Sequence, residues 1–259
     1  MSHRVVSLMV AFLILVSVAA AQVAAVVGPS TAPIGCNVRI TISNDTNSVV
    51  GSGACPFTVS DATGAMVFAP QICTLNLIPI APGGEATFLW NQATNAGVQV
   101  PAGSYTVNVQ IPNGGGITSH PLTIGGTAGM GQLGVQRLGT AHNLILCAPN
   151  RPNRLFLALA SLSSSFGQPI PGCTLVLPLD PDFLFNLVIS GSPEVLPYLP
   201  NLVGVLNANG ESTAPMVITP NNPLFAGLSI DMCFLTIDPS FPAACPIDEI
   251  SAVTTITVM

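Results

Sequence analysis

Residues 104–111 read SYTVNVQI, and their alternation decides the fold class. Tyr105, Val107, Val109 and Ile111 fall on one side, with Thr106, Asn108 and Gln110 on the other. A period of two marks a half-buried antiparallel strand, one face toward a core and one toward water. The stretch NVRITIS, residues 37–43, repeats the pattern with Val38, Ile40 and Ile42. Turn clusters separate such runs: SNDTN from Ser43, DATG from Asp61, APGGE from Ala81, PAGS from Pro101, PNGGG from Pro112, NANG from Asn207 and TPNNP from Thr219. No segment keeps an amphipathic helical pattern beyond two turns, so the chain is predicted to be all-β.

Outward from these strands, the Gly-rich passage IGGTAGMGQLG (Ile124 to Gly134) has neither periodicity nor charge. Residues 126–134 are therefore predicted to form a linker between a β-sandwich at 22–125 and a second at 135–259, each long enough for its own core. The second half carries longer apolar runs, NLILCAP, RLFLALASL, CTLVLPL, FLFNLVI and FAGLSIDMCFLTI. Unbroken runs predict strands covered on both faces.

Composition narrows the role. The 259 residues are 49% apolar and only 6% charged, with five Arg, no Lys, eleven carboxylates and a net charge of −6. Mean hydropathy is +0.65. Disorder requires low hydrophobicity and high charge, so it is excluded for most of the chain. Nucleic-acid binding needs clustered cations, which scattered Arg do not supply.

The N-terminus reads as a secretory leader over residues 1–21: Arg4, an apolar run from Val5 to Val18, then Ala19, Ala20 and Ala21 before Gln22. Its removal leaves the chain one unit more negative and predicts a secreted protein, extracellular, periplasmic or at the cell surface, with no membrane span in the mature chain. Retention as an anchor is the alternative, because apolar residues continue to Val27. All seven Cys follow the leader. In an oxidising compartment they read as disulfides, and the absence of any CxxC pair argues against zinc. Short loops between neighbouring strands favour Cys55–Cys73, Cys147–Cys173 and Cys233–Cys245, leaving Cys36 as a free thiol.

The segment APGGEATFLWNQATNAGVQVPAGSYTVNV, Ala81 to Val109, resembles a corner of two immunoglobulin-like families: the BsuPI-type bacterial proteinase-inhibitor domain and the immunoglobulin-like module of the flagellar hook-cap protein. Trp90, Gly97, Pro101, Gly103 and Tyr105 carry the resemblance. It implies an immunoglobulin-like sandwich for the first half and an inhibitor activity as an alternative function; with the second half read the same way, the expected fold is two immunoglobulin-like antiparallel β-sandwiches. Independently of the families, Pro101 presets a turn, Gly103 permits positive φ, and Tyr105 begins an alternating strand. The stretch Asn209 to Asp238 is similar to uncharacterised secreted bacterial β-sandwich modules, a likeness that implies no chemistry.

Catalytic constellations are sparse. His120 and His142 stand on opposite sides of the expected linker, and no GxSxG elbow occurs. The run Ser161 to Ser165 reads as a polar loop. Asp180 and Asp182 are the weak calcium candidates, and Asp248 with Glu249 is a second acidic pair; neighbouring carboxylates in one loop rarely face each other across a sugar bond. With Trp90 and Tyr105 spent in the core, Tyr198 is the one aromatic left as a sugar platform. Asn44-Asp45-Thr46 fits a glycosylation sequon but reads as a turn. The expected function is a secreted, non-catalytic structural or interaction module without cofactor, engaging protein or its own copies through apolar faces or sheet edges. A protease inhibitor and a carbohydrate-binding module are the alternatives.

Overall fold

The computed structural model describes residues 22–71, 76–238, 240 and 245–259. The expected leader lies outside them. The alternating strands form where the period of two placed them: Val38, Ile40 and Ile42 are buried in the strand Val38–Asn44, and Tyr105, Val107 and Val109 in Gly103–Gln110.

Two sheets enclose the first apolar cluster. One runs Val23–Gly28, Val38–Asn44, Glu85–Trp90; the other runs Thr31–Ala32, Ile117–Ile124, Gly103–Gln110, Phe57–Asp61, Met66–Phe68. Pairing is antiparallel except where Ile117–Ile124 meets the short Thr31–Ala32. Trp90 sits between the sheets, its ring centroid 6.2 Å from both Phe68 and Tyr105, with its indole N–H donating to the Ala93 carbonyl at 2.9 Å. The Tyr105 hydroxyl donates to the Pro101 carbonyl at 2.7 Å, tying the strand start to the preceding turn. Gly97 has the positive φ of a turn glycine (74°). Gly103 does not take positive φ; it opens the strand in extended conformation, correcting the expectation drawn from its sequence position.

A second cluster is built from Gly129–Gln132, Ala141–Cys147, Glu211–Ser212 and Met216–Ile218 on one side, and Val203–Val205, Leu155–Ser161, Ser229–Ile237, Ile247–Ile250 and Thr254–Thr257 on the other. Met130, Leu144 and Leu146 meet Phe156, Met232 and Phe234 within it. The architecture is an all-β arrangement of mostly antiparallel sheets in β-sandwich layers. As the unbroken apolar runs imply, Leu155–Ser161 and Ser229–Ile237 are buried along nearly their whole length.

One run departs from expectation. FLFNLVI is not a strand but the α-helix Phe183–Ile189, which packs on Leu155–Ser161 through Phe185 and Val188. Asp182 starts it by accepting the Phe185 amide at 2.9 Å, an N-cap bond that satisfies an otherwise orphaned donor.

The expected linker is also corrected. Gly129–Gln132, inside 126–134, is a buried strand paired to Ala141–Cys147. Its glycines serve close backbone approach: a Cβ on Gly131 would lie 2.7 Å from Pro29 Cα, and one on Gly129 would lie 2.5 Å from the Thr31 carbonyl oxygen. Glycine content here reports crowding, not slack.

Disulfide connectivity differs as well. Cys36 is not free: it is bonded to Cys147 across 111 residues. Cys173 pairs with Cys245, 72 residues on, so neither Cys147–Cys173 nor Cys233–Cys245 forms. Cys233 is the free, buried thiol. The physical reason is register: Cys147 stands opposite Gly129, which lies against Thr31 and Pro33, and this brings Cys147 to the turn that holds Cys36. Cys55 is disulfide-bonded, while Cys73, the other half of that expected pair, lies outside the described residues. These bonds fit an extracellular or periplasmic protein. Among the described residues no helix is long and apolar enough to cross a membrane.

Candidate functional site

The loop after Leu155–Ser161 runs past the helix and is braced by two carboxylates. Asp180 accepts the Ser163 hydroxyl at 2.7 Å, the Ser165 amide at 2.9 Å and the Phe166 amide at 2.8 Å. The Ser163 hydroxyl and these amides hold its pKa down, to about 2. Asp182 accepts the Phe185 amide on one oxygen, and the Leu162 amide at 2.5 Å and the Ser161 hydroxyl at 2.7 Å on the other. Burial pushes its pKa up, but these donors outweigh burial and the net shift is downward. Both carboxylates, the calcium candidates of the sequence, thus face N–H and O–H donors of their own loop and brace it. The Ser161 hydroxyl is likewise engaged, and Ser164 donates to Asp231 at 2.6 Å.

Bracing fixes the loop while its apolar tip stays in solvent. Phe166 is 91% exposed. Beside the helix opens a groove of about 630 Å³, within the range of small-ligand and side-chain pockets. Phe183, Leu187, Tyr198, Leu199 and Ile218 are among its lining residues, and Glu194 is the one charged side chain there. Phe183 and Tyr198 are exposed, so Tyr198, the candidate sugar platform, stands in the wall of this groove.

The remaining candidates are dispersed. The His120 ring lies 3.1 Å from the Thr118 hydroxyl, and burial lowers its pKa. The His142 ring contacts the Leu133 carbonyl at 2.9 Å. They occupy different sheets, each bonded within its own strand neighbourhood. Trp90 and Tyr105 are buried in the first core, and the carbonyl of the exposed Pro101 accepts the Tyr105 hydroxyl. Asn44 is fully buried, with its amide nitrogen donating to the Ser48 and Ile80 carbonyls, so the sequon is a turn brace. Asp248 and Glu249 both face Arg151 on the far side of the second cluster. No single motif announced the groove; the overlooked signal was the N-cap at Asp182, which makes FLFNLVI a helix.

No family model and no curated protein matches the chain. Among solved structures, a red sea bream transglutaminase aligns with TM-score 0.32 and 7% identity over 92% of this chain. The chain spans 31% of that protein's length. The human OSCAR ligand-binding domain aligns with TM-score 0.24 and 13% identity, over 91% of this chain and 97% of its own. Likenesses this distant carry no functional argument.

Proposed function

We propose that the chain is a secreted, non-catalytic interaction module whose binding face is the groove beside the helix Phe183–Ile189. The observation that carries this reading is an open apolar groove of about 630 Å³ with Glu194 as its one charge. An exposed apolar face of this kind marks a binding surface, and rigid aromatics at it serve as anchors. The occupant is an apolar protein segment bearing a basic residue, because Glu194 is the groove's one charge and the chain as a whole is acidic at −6. Titration with an amphipathic Leu/Lys peptide and its Leu/Glu counterpart tests this. The basic peptide alone binds, and Phe183→Ser and Glu194→Gln each weaken it roughly tenfold. Equal binding of both peptides, binding of neither, or turnover in a hydrolase panel overturns the reading.

A second reading, a secreted protease inhibitor, is favoured by Phe166 at 91% exposure on a loop pinned by Asp180. Preorganisation is what an inhibitory loop needs. Near-stoichiometric inhibition of a subtilisin-type protease, abolished by Phe166→Gly, supports it; digestion or indifference removes it.

A further inference from the structure

Away from the groove, a pocket of about 510 Å³ opens beside the strand Ile247–Ile250, lined on one side by Arg151, Asp248 and Glu249 and on the other by Val176 and Pro178. Arg154 is clamped there, 2.6 Å from Asp238 and 3.3 Å from Asp248. Arg151 is not: its Nη2 lies 3.6 Å from Glu249 Oε1 and its Nε 3.9 Å from Asp248 Oδ2, both beyond hydrogen-bond reach.

Three orphaned atoms result. Arg151 Nε, Asp248 Oδ2 and Glu249 Oε2 are buried without a hydrogen-bond partner, and the Glu249 side chain is only 8% exposed. A buried donor and acceptor left unpaired in one pocket are costly and call for a bridging group. Burial raises the Glu249 pKa, with Arg151 and the Thr127 hydroxyl opposing, which moves the group toward neutrality. The Arg151 side chain is 36% exposed and lines the pocket together with Glu249, so both groups border the same space.

We propose that this pocket binds a neutral polyhydroxylated ligand, a sugar ring, whose vicinal hydroxyls bridge Arg151 Nε–H and Glu249 Oε2 while its C–H face lies on Val176 and Pro178. A hydroxyl both donates and accepts, which is what the mismatched pair requires. An ammonium would satisfy the carboxylates of Asp248 and Glu249 but oppose Arg151; a carboxylate would do the reverse. The site is separate from the groove and stands whether or not the groove binds a peptide.

Saturation-transfer NMR and calorimetry on the disulfide-intact protein, with D-glucose, D-galactose, D-mannose, N-acetyl-D-glucosamine and myo-inositol as probes and methylammonium as control, test it. At least one polyol binds, and Glu249→Gln weakens it about tenfold or more. Val176→Arg, which plugs the mouth from an exposed position and leaves the buried ion pairs in place, abolishes binding even where Glu249→Gln fails to fold. Tyr198→Ala in the groove leaves it unchanged. Binding of no polyol, binding of methylammonium only, or binding that survives Val176→Arg overturns the proposal.

Discussion

Cys36 and Cys147, 111 residues apart in sequence, are joined by a disulfide between the two apolar clusters of the chain. Arg137 reinforces the same junction, 2.5 Å from Asp45 and 3.4 Å from Glu85, and the Val135 amide donates to Glu85 at 3.1 Å. Closing so long a loop restricts the unfolded chain strongly, so Cys36→Ser with Cys147→Ser is expected to cost roughly 3–5 kcal/mol in urea unfolding. Peptide mapping without reductant is expected to recover Cys36 and Cys147 in one linked fragment. Recovery of Cys147 linked to Cys173 would contradict the connectivity.

Cys233 is expected to resist alkylation in the folded protein. It is fully buried opposite Leu159, and burial pushes its thiol up to about 12, so almost no thiolate exists near neutrality. Iodoacetamide followed by mass spectrometry is expected to label it only in denaturant. Labelling at native rates comparable with a free thiol would show that the second core opens.

Cys36, Cys147 and Cys233 also show where sequence reasoning stops. Val38, Ile40, Ile42, Tyr105, Val107 and Val109 were legible because a strand's period is local, and so were the turns around Asp61 and Gly83. The disulfides were not, because spacing along the chain says nothing of the register that sets Gly129 against Cys147. The run Phe183 to Ile189 is apolar at nearly every position, so periodicity cannot separate buried strand from helix; only the Asp182 cap distinguishes them. The groove and the Arg151–Glu249 pocket draw on residues from several elements each, and neither leaves a contiguous motif.

Asp180 makes the loop acid-sensitive within a defined window. Its folded pKa is about 2 against an ordinary 3.8, a depression, so the bracing is fully present above pH 4 and is lost as pH falls toward 2. Amide exchange at Ser165 and Phe166 is expected to accelerate across that interval, beyond the intrinsic change with pH. Asp180→Asn is expected to show fast exchange at neutral pH, with the sheets unaffected.

Tyr105→Phe removes a hydroxyl that donates to Pro101 at 2.7 Å while keeping the ring against Trp90. The expected loss is about 0.5–1.5 kcal/mol, the net worth of one hydrogen bond. Trp90→Ala empties a side chain buried to 1% exposure and is expected to cost about 3–5 kcal/mol. Denaturant midpoints measure both, and equal losses would mean that Tyr105 acts through more than its hydroxyl.

Gly131 and Gly103 separate two uses of glycine. A Cβ at position 131 would sit 2.7 Å from Pro29 Cα and 2.8 Å from its nitrogen, backbone atoms that cannot rotate away. At position 103 the nearest atom would be Tyr105 Cε2 at 3.8 Å, ordinary contact, and the backbone there is extended. Gly131→Ala is therefore expected to destabilise by about 1–3 kcal/mol through forced backbone displacement, whereas Gly103→Ala is neutral or stabilises by a few tenths through a stiffer unfolded chain. Thermal melting of the two variants measures the contrast. A tolerated Gly131→Ala would mean that the strand Gly129–Gln132 is not packed against Gly28 and Pro29, and the passage would then be the linker that its composition suggests.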